Sequence, residues 1–107
     1  MLVIKNSMKA KVVELVNAKY MNEQHPETFD IPSNEELKNI NKGDSVKVCA
    51  MRERFWVEIV SETNERILIG RVDNNLVFTD EHGLDMNDLI YLTRENIYDI
   101  YKHEATN

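Results

Sequence analysis

Apolar residues recur at every second position through the middle of the chain, and this alternation constrains the fold more than any other feature. Three runs show it, at residues 46–50, 55–59 and 67–69. Successive side chains of a strand point to opposite faces of a sheet, so a period of two indicates strands with one buried face. The polar breaks between the runs have the length of hairpin turns. Residues 43–92 are therefore predicted to form a compact antiparallel β-sheet that begins as a three-stranded meander.

The alternation also predicts which side chains share a face of the second strand. We expect its core face to carry three apolar residues, Phe55, Val57 and Ile59. The opposite face then carries Arg54, Trp56 and Glu58, because neighbouring positions alternate. That second face is either open to a ligand or covered by a helix from the N-terminal part of the chain.

Three helices are predicted around the sheet. The first begins at an N-cap, Ser7, and runs from Met8 to near Asn22, because apolar residues there follow helical spacing. The β-branched pair at 12–13 makes a strand the alternative for this segment. Ser33 and Glu36 form a capping box that begins a short central helix.

The remaining elements follow from turn and cap residues. Gly43 is expected to end the central helix as a left-handed cap. After a polar turn at 73–75, a short fourth strand is predicted at 76–79, a loop at 80–86 and a last strand at 89–92. Thr93 is predicted to cap a C-terminal helix at 93–103, whose apolar face carries Ile97, Ile100 and Tyr101.

Together these elements predict one α+β domain that spans residues 1–107, since a chain of 107 residues suits a single domain. Its N-terminal helical part covers about 1–42, and its small antiparallel sheet has four to five strands, flat or curled toward a barrel. N-terminal, short central and C-terminal helices complete the predicted fold.

Composition excludes several function classes. The net charge of −6 argues against non-specific nucleic-acid binding, which needs clustered lysine and arginine. No apolar run approaches the roughly 18 residues that span a bilayer, so no membrane association is expected. One cysteine, Cys49, precludes an intramolecular disulfide and favours the reducing cytoplasm. No cofactor and no metal site is indicated.

Four segments resemble the bacterial family known as domain of unknown function 2314; they lie at residues 43–48, 53–58, 70–74 and 96–101. The most specific part is the run Arg54-Phe55-Trp56-Val57-Glu58 followed by Gly70-Arg71-Val72-Asp73-Asn74. The resemblance covers roughly the last two-thirds of the chain. It implies a helix-plus-antiparallel-sheet domain that occurs in bacteria and their phages, and it implies no activity.

The polar residues of the second face are the first candidate site. Arg54 and Trp56 share that face, and a tryptophan flanked by arginine can anchor a planar ligand or a partner protein. Arg71 on the neighbouring strand can supply a fork for a carboxylate or phosphate. Asp73 and Asn74 lie in the turn that follows and can contact a base or sugar, although such residues more often bond their own backbone.

The second candidate is the acidic loop that contains Asp80 and His82. A histidine beside carboxylates can act as a general base, and with His25 it can contribute to a metal site. The alternative is a solvated polar loop, since residues adjacent in sequence rarely converge on one atom. No serine lies in a nucleophile elbow and no glycine-rich phosphate loop occurs, so no residue is assigned a catalytic role.

The leading hypothesis is a non-enzymatic binding module for a small anionic or nucleotide-like ligand. The ligand-binding residues would be Arg54, Trp56, Arg71, Asp73, Asn74, Asp80 and His82. Sequestration of a signalling nucleotide is one version, suggested by the phage occurrence that the resemblance implies. The alternatives are a small hydrolase that uses His82 with nearby carboxylates, and a protein–protein interaction domain. An exposed edge strand would also permit a homodimer.

Overall fold

The computed structural model describes residues 10–64 and 66–103, and its central element is a five-stranded antiparallel sheet. The strands are β1 (Ser45–Ala50), β2 (Glu53–Glu62), β3 (Ile67–Val72), β4 (Leu89–Thr93) and β5 (Asp99–Tyr101). They lie in the order β4-β3-β2-β1-β5, which leaves the sheet open. The helices are α1 (Ala18–Gln24), α2 (Asn34–Lys38) and α3 (Thr79–His82), with a 3₁₀ turn at Arg94–Asn96. The predicted α+β class with a small antiparallel sheet is confirmed.

One face of this sheet carries the hydrophobic core. In the β1–β2 hairpin Val48 lies opposite Phe55 and Val46 opposite Val57, which places all four side chains on that face. Thirteen buried residues form the main cluster: Ile40, Val46, Val48, Ala50, Phe55, Val57, Ile59, Leu68, Val72, Leu84, Ile90, Leu92 and Ile97. The predicted direction of the Phe55, Val57 and Ile59 side chains is therefore confirmed.

None of the helices in the described ranges is long and apolar enough to cross a membrane.

Residues 11–16 are extended, so the predicted helix from Met8 is wrong over this segment. The Lys11 amide donates to the carbonyl of Leu89 in β4 (2.8 Å), and the Val16 amide donates to the carbonyl of Cys49 in β1 (2.8 Å). The segment therefore joins β4, at one edge of the sheet, to the end of β1 near the other. Its β-branched residues suit extended backbone, and both strands have free hydrogen-bonding groups to pair with it.

Helix α1 begins only at Ala18, where the side chain of Asn17 accepts a hydrogen bond from the Tyr20 amide. The predicted N-cap, Ser7, and the predicted start, Met8, lie outside the described residues. The central helix is confirmed as α2, with both hydrogen bonds of the Ser33 capping box formed. It ends at Lys38, however, so Gly43 is not its cap. Gly43 has a φ of +97° in the turn that enters β1.

The predicted C-terminal helix at 93–103 is wrong. Thr93 does form a capping box with Asn96, but it caps a single 3₁₀ turn. The chain then pairs with the open edge of β1 as strand β5, in which Ile100 lies opposite Val46. Edge pairing satisfies backbone groups that an isolated short helix would leave at its ends, and it buries Ile97 beneath the sheet.

The strand predicted at 76–79 is also wrong. No strand forms there, and part of the loop predicted at 80–86 is helix α3, which ends at Gly83 with a left-handed φ of +76°. The segment is held by hydrogen bonds to the side chain of Glu53 rather than by pairing with a neighbouring strand. Because a side chain satisfies these amides, the backbone does not need a sheet partner.

Gly70 provides a test of the core packing. A Cβ atom at this position would lie 2.9 Å from Cγ2 of Val57 and 3.2 Å from Cδ2 of Leu92. We expect Gly70→Ala to lower the free energy of unfolding by about 1–3 kcal/mol, because overpacking forces neighbours out of place. Val57→Ala should lower the free energy of unfolding less in the Gly70→Ala background than in the wild type. Chemical denaturation of the four proteins measures this difference. Equal costs in the two backgrounds would contradict the packing described.

Candidate functional site

The second face of the sheet places two cations, Lys47 and Arg54, next to Trp56. Arg54 and Trp56 project from β2 on the side opposite the core, as predicted, and Trp56 is half-buried. Lys47 lies opposite Trp56 in β1, and its Nζ atom is 5.3 Å from the centroid of a Trp56 ring. Arg54 pairs with Cys49, one step along the same face. Lys47 therefore lies directly across from Trp56, Arg54 lies next to Trp56 along β2, and the two cations are diagonal neighbours across the hairpin.

Aromatic rings hold the side chain of Arg54. Its Cζ atom lies 4.8 Å from the ring centroid of Tyr98 and 5.4 Å from that of Phe29. Phe29 reaches this position because the chain between α1 and α2 folds back, with the side-chain amide of Asn22 donating to the Phe29 carbonyl (2.6 Å). Contact with two rings restricts the guanidinium and leaves its donors available.

A groove of about 510 Å³ opens in front of these side chains, between the α1–α2 connection and the β1–β5 edge. We call it the Arg54 groove. Its lining comprises residues 28–32 and 98–100 together with Glu36, Lys47 and Arg54. The volume falls within the range of about 300–1,000 Å³ that small-ligand sites occupy. The groove can therefore accept a ligand of moderate size.

The described residues provide no ion-pair partner for the two cations of the groove. Within residues 10–64 and 66–103, neither Lys47 nor Arg54 forms an ion pair. Three carboxylates share the lining, but that of Glu36 accepts the capping hydrogen bond from the Ser33 amide, which lowers the pKa of Glu36. The Arg54 groove thus combines two available cations with carboxylates of Asp30 and Asp99.

Arg71 lies on the same face but its guanidinium is already bound. It donates to Glu58 (2.5 Å) and to Asn87 (2.7 Å), and Asp73 is 3.7 Å away. The hydrogen bond with Glu58 is the main cause that raises the pKa of Arg71. The structure therefore brings the predicted residues Arg71 and Asp73 together, and it directs Arg71 toward the protein's own acceptors.

Asn74 also bonds the protein itself. Its side-chain oxygen accepts from the Trp56 amide (2.5 Å), and the Asp73 amide donates to the Trp56 carbonyl (2.9 Å). This turn therefore bonds to the backbone of β2 just beyond the last residue that pairs with β3. Bonding to backbone is the alternative to ligand binding that the sequence suggested for Asp73 and Asn74. It fixes the strand that carries the indole.

His82 is buried and both of its ring nitrogens are engaged. Its Nδ1 accepts from the Leu84 amide (3.1 Å), so the neutral ring carries its proton on Nε2, which donates to Glu53 (2.9 Å). The side chain of His82 is only 1% exposed. Asp80, by contrast, is exposed in the first turn of α3. This geometry leaves His82 no free nitrogen to act as a general base.

The described residues do not form the metal site that was the alternative prediction for His25 and His82. Among the described residues, no three His, Cys, Asp or Glu side chains are placed to hold one metal ion. His25 ends α1 and packs against Phe29, with ring centroids 5.8 Å apart. His25, His82 and a carboxylate therefore do not converge.

Three residues of the groove were not among the ligand-binding residues predicted from the sequence. Lys47 could have been found, because a two-residue turn at 51–52 sets the hairpin register that places it opposite Trp56. Phe29 lies in a connection without periodicity, and Tyr98 lies in the segment predicted as a helix. No local signal places these two rings beside Arg54.

Comparison with known proteins gives no relative: no protein-family model, no curated protein and no solved structure matches this chain. The resemblance to domain of unknown function 2314 therefore stays a prediction.

Glu53 generates a prediction about the loop beside this face. Its carboxylate accepts from the amides of Val77 (2.7 Å) and Phe78 (2.8 Å) and from His82. Burial raises the pKa of Glu53, but these hydrogen bonds outweigh burial and hold the pKa below its ordinary value. We expect Glu53→Gln to lower the free energy of unfolding by about 1–3 kcal/mol at neutral pH, because the amide cannot accept all three bonds.

The same variant has a defined pH dependence. A carboxyl with a lowered pKa stabilises the fold above the ordinary glutamate pKa of about 4.3, and this contribution is lost as the pH falls through the folded-state pKa. The difference between the wild type and Glu53→Gln, measured by urea unfolding, should therefore shrink under acidic conditions. A difference that stays constant with pH would contradict the charged role of Glu53.

Proposed function

We propose that this protein is a non-enzymatic binding module that holds a small anionic, nucleotide-like ligand in the Arg54 groove. The observation that carries the proposal is that Lys47 and Arg54 both line this groove, each beside an aromatic ring and without a carboxylate ion-pair partner among the described residues. Available cations beside an aromatic ring are the arrangement that binds an anionic group attached to a planar one.

The anionic group of the ligand would lie between the two cations. The guanidinium of Arg54 offers a planar set of donors that matches phosphate or carboxylate oxygens, while Lys47 supplies a point charge. Because Phe29 and Tyr98 already restrict Arg54, little conformational entropy is lost when the ligand binds. Phe29 and Tyr98 line the groove and provide the aromatic surface for a planar group, while Trp56 lies outside the lining, beside Lys47.

The carboxylates of the groove favour a ligand that carries hydrogen-bond donors in addition to an anionic group. Asp30 and Asp99 can accept hydrogen bonds from amino or hydroxyl groups, and they repel an unsubstituted anion. A nucleotide has both kinds of group, with phosphate for the cations and base or ribose donors for the carboxylates. Binding without turnover amounts to sequestration of such a molecule, which is the version of the hypothesis that the groove favours.

A hydrolase that uses His82 has less support. A general base must present a free nitrogen to its substrate, and both nitrogens of His82 bond within the fold. The Arg54 groove contains no histidine, cysteine or serine among its lining residues. Its chemistry is that of recognition.

A thermal-shift experiment tests the proposal. Adenosine and guanosine monophosphates, cyclic dinucleotides and inorganic phosphate would each be added to the purified protein. A ligand present at a hundred times its dissociation constant adds about 2.7 kcal/mol of stability, which raises the melting temperature by roughly 4–8 °C per kcal/mol for a domain near this size. We expect at least one nucleotide to give such a shift and phosphate to give a much smaller one.

Variants connect any shift to the groove. Arg54→Ala and Lys47→Ala should each abolish most of the nucleotide-induced shift. Arg52→Ala is the matched control, since Arg52 packs on Phe78 and pairs with Glu81 away from the groove. The proposal fails if no nucleotide shifts the wild type, or if Arg52→Ala reduces the shift as much as Arg54→Ala does.

A further inference from the structure

A second groove lies on the other side of the α1–α2 connection, between both helices and the 3₁₀ turn. Its volume is about 270 Å³, and Ile31 lines both this groove and the Arg54 groove. We call it the Lys38 groove. Its apolar lining consists of Ile31, Leu37 and Ile97, and its charged lining includes Lys19 and Lys38. This groove is independent of the function proposed above.

The Lys38 groove is locally basic in an acidic protein. The chain carries a net charge of −6, yet the groove is lined by three cations, Lys19, Lys38 and Arg94, and by one carboxylate, Glu95. Within the described residues, Lys19 and Lys38 form no ion pair, and both are exposed. The field of this surface therefore favours a negatively charged partner, although the whole protein repels one.

Arg94 has a structural part in the groove. Its Nε donates to the Leu37 carbonyl (2.8 Å) and its guanidinium pairs with Glu62 (2.7 Å). The first bond joins the 3₁₀ turn to α2 across the groove, so the wall is formed before any partner arrives. A preformed apolar slot with charged edges can receive a side chain without rearrangement.

We propose that the Lys38 groove docks an acidic segment of a partner protein that inserts one apolar side chain. The slot is smaller than the roughly 300–1,000 Å³ of small-ligand sites, which suits one anchoring side chain better than a whole ligand. Lys19 and Lys38 pair with acidic residues on either side of that anchor. Interfaces commonly use a buried apolar anchor within a polar rim.

The test is an NMR titration of the isotopically labelled full chain with short synthetic peptides. Each peptide places one leucine or phenylalanine between glutamates. We expect saturable shifts of the amides of Leu37, Lys38 and Arg94, and weaker binding as the salt concentration rises. Peptides that carry serine in place of the anchor, or lysines in place of the glutamates, should bind at least roughly tenfold more weakly.

Charge-reversal variants assign the binding to the groove. Lys19→Glu and Lys38→Glu should each weaken the peptide complex by roughly tenfold or more. Lys42→Glu is the matched control, because Lys42 is exposed and lies outside the lining of the groove. The proposal is overturned if no peptide gives saturable shifts, if Lys42→Glu weakens binding equally, or if groove signals shift with protein concentration alone, which would identify a second copy as the occupant.

Discussion

The pairing of residues 11–16 with two separate strands is the constraint on which the rest of the structure depends. The Lys11 amide bonds to Leu89, the Tyr91 amide returns a bond to Lys11, and the Val16 amide bonds to Cys49. Val13 and Leu15 of this segment pack against the main core. Val13 and Leu15 therefore lie on the core side of the open sheet and do not cover the opposite face, whereas Val16, at the end of the segment, packs against the small cluster on that face.

Among the described residues, those that cover the second face pack at one end of it. Ala18 at the start of α1 is buried with Cys49 and Tyr98, and Phe29 and Ile31 pack against this small cluster. The same packing forms one wall of the Arg54 groove and raises the pKa of the Cys49 thiol by burial. Cover at that end and exposure at Trp56 together produce a concave surface rather than a flat one.

The polar residues of this region divide into those that hold the fold and those that do not. Arg71 donates to both Glu58 and Asn87, and the buried side chain of His82 bonds to Glu53, a bond whose loss would leave a buried polar atom without this partner. A group committed in this way has little interaction energy left for a ligand. In the part of the chain that the structure describes, Arg54 contacts two rings and forms no ion pair, so its hydrogen-bonding capacity is still available. This distinction shifts the proposed site from Arg71 toward Lys47.

The sequence was informative where structure is decided locally. The alternation in β1 to β3 and the Ser33 capping box each depend on neighbours a few residues away, and both predictions are confirmed. The segments at 11–16 and 99–101 were predicted as helix because their apolar spacing fits either period. Whether such a short segment pairs depends on a free strand edge elsewhere in the chain, which no local pattern reveals.

The residues of the site divide in the same way between those placed by local pattern and those placed by distant contacts. The face shared by Arg54 and Trp56 follows from counting along one strand, and Lys47 follows from a two-residue turn. The partners of Arg71 could not be predicted by counting along the strands, because a bulge between Ile59 and Ser61 shifts the register of β2 against β3. The ring of Phe29 comes from an irregular connection, which has no register at all.

Quenching of tryptophan fluorescence tests the central claim most directly, because Trp56 is the only tryptophan in the sequence. If the indole lies open next to Lys47 and Arg54, iodide should quench it more strongly than caesium does, despite the net charge of −6. The preference for iodide should fall in a Lys47→Ala, Arg54→Ala double variant. Stronger quenching by caesium than by iodide, or resistance to neutral acrylamide, would contradict an open cationic surface around Trp56.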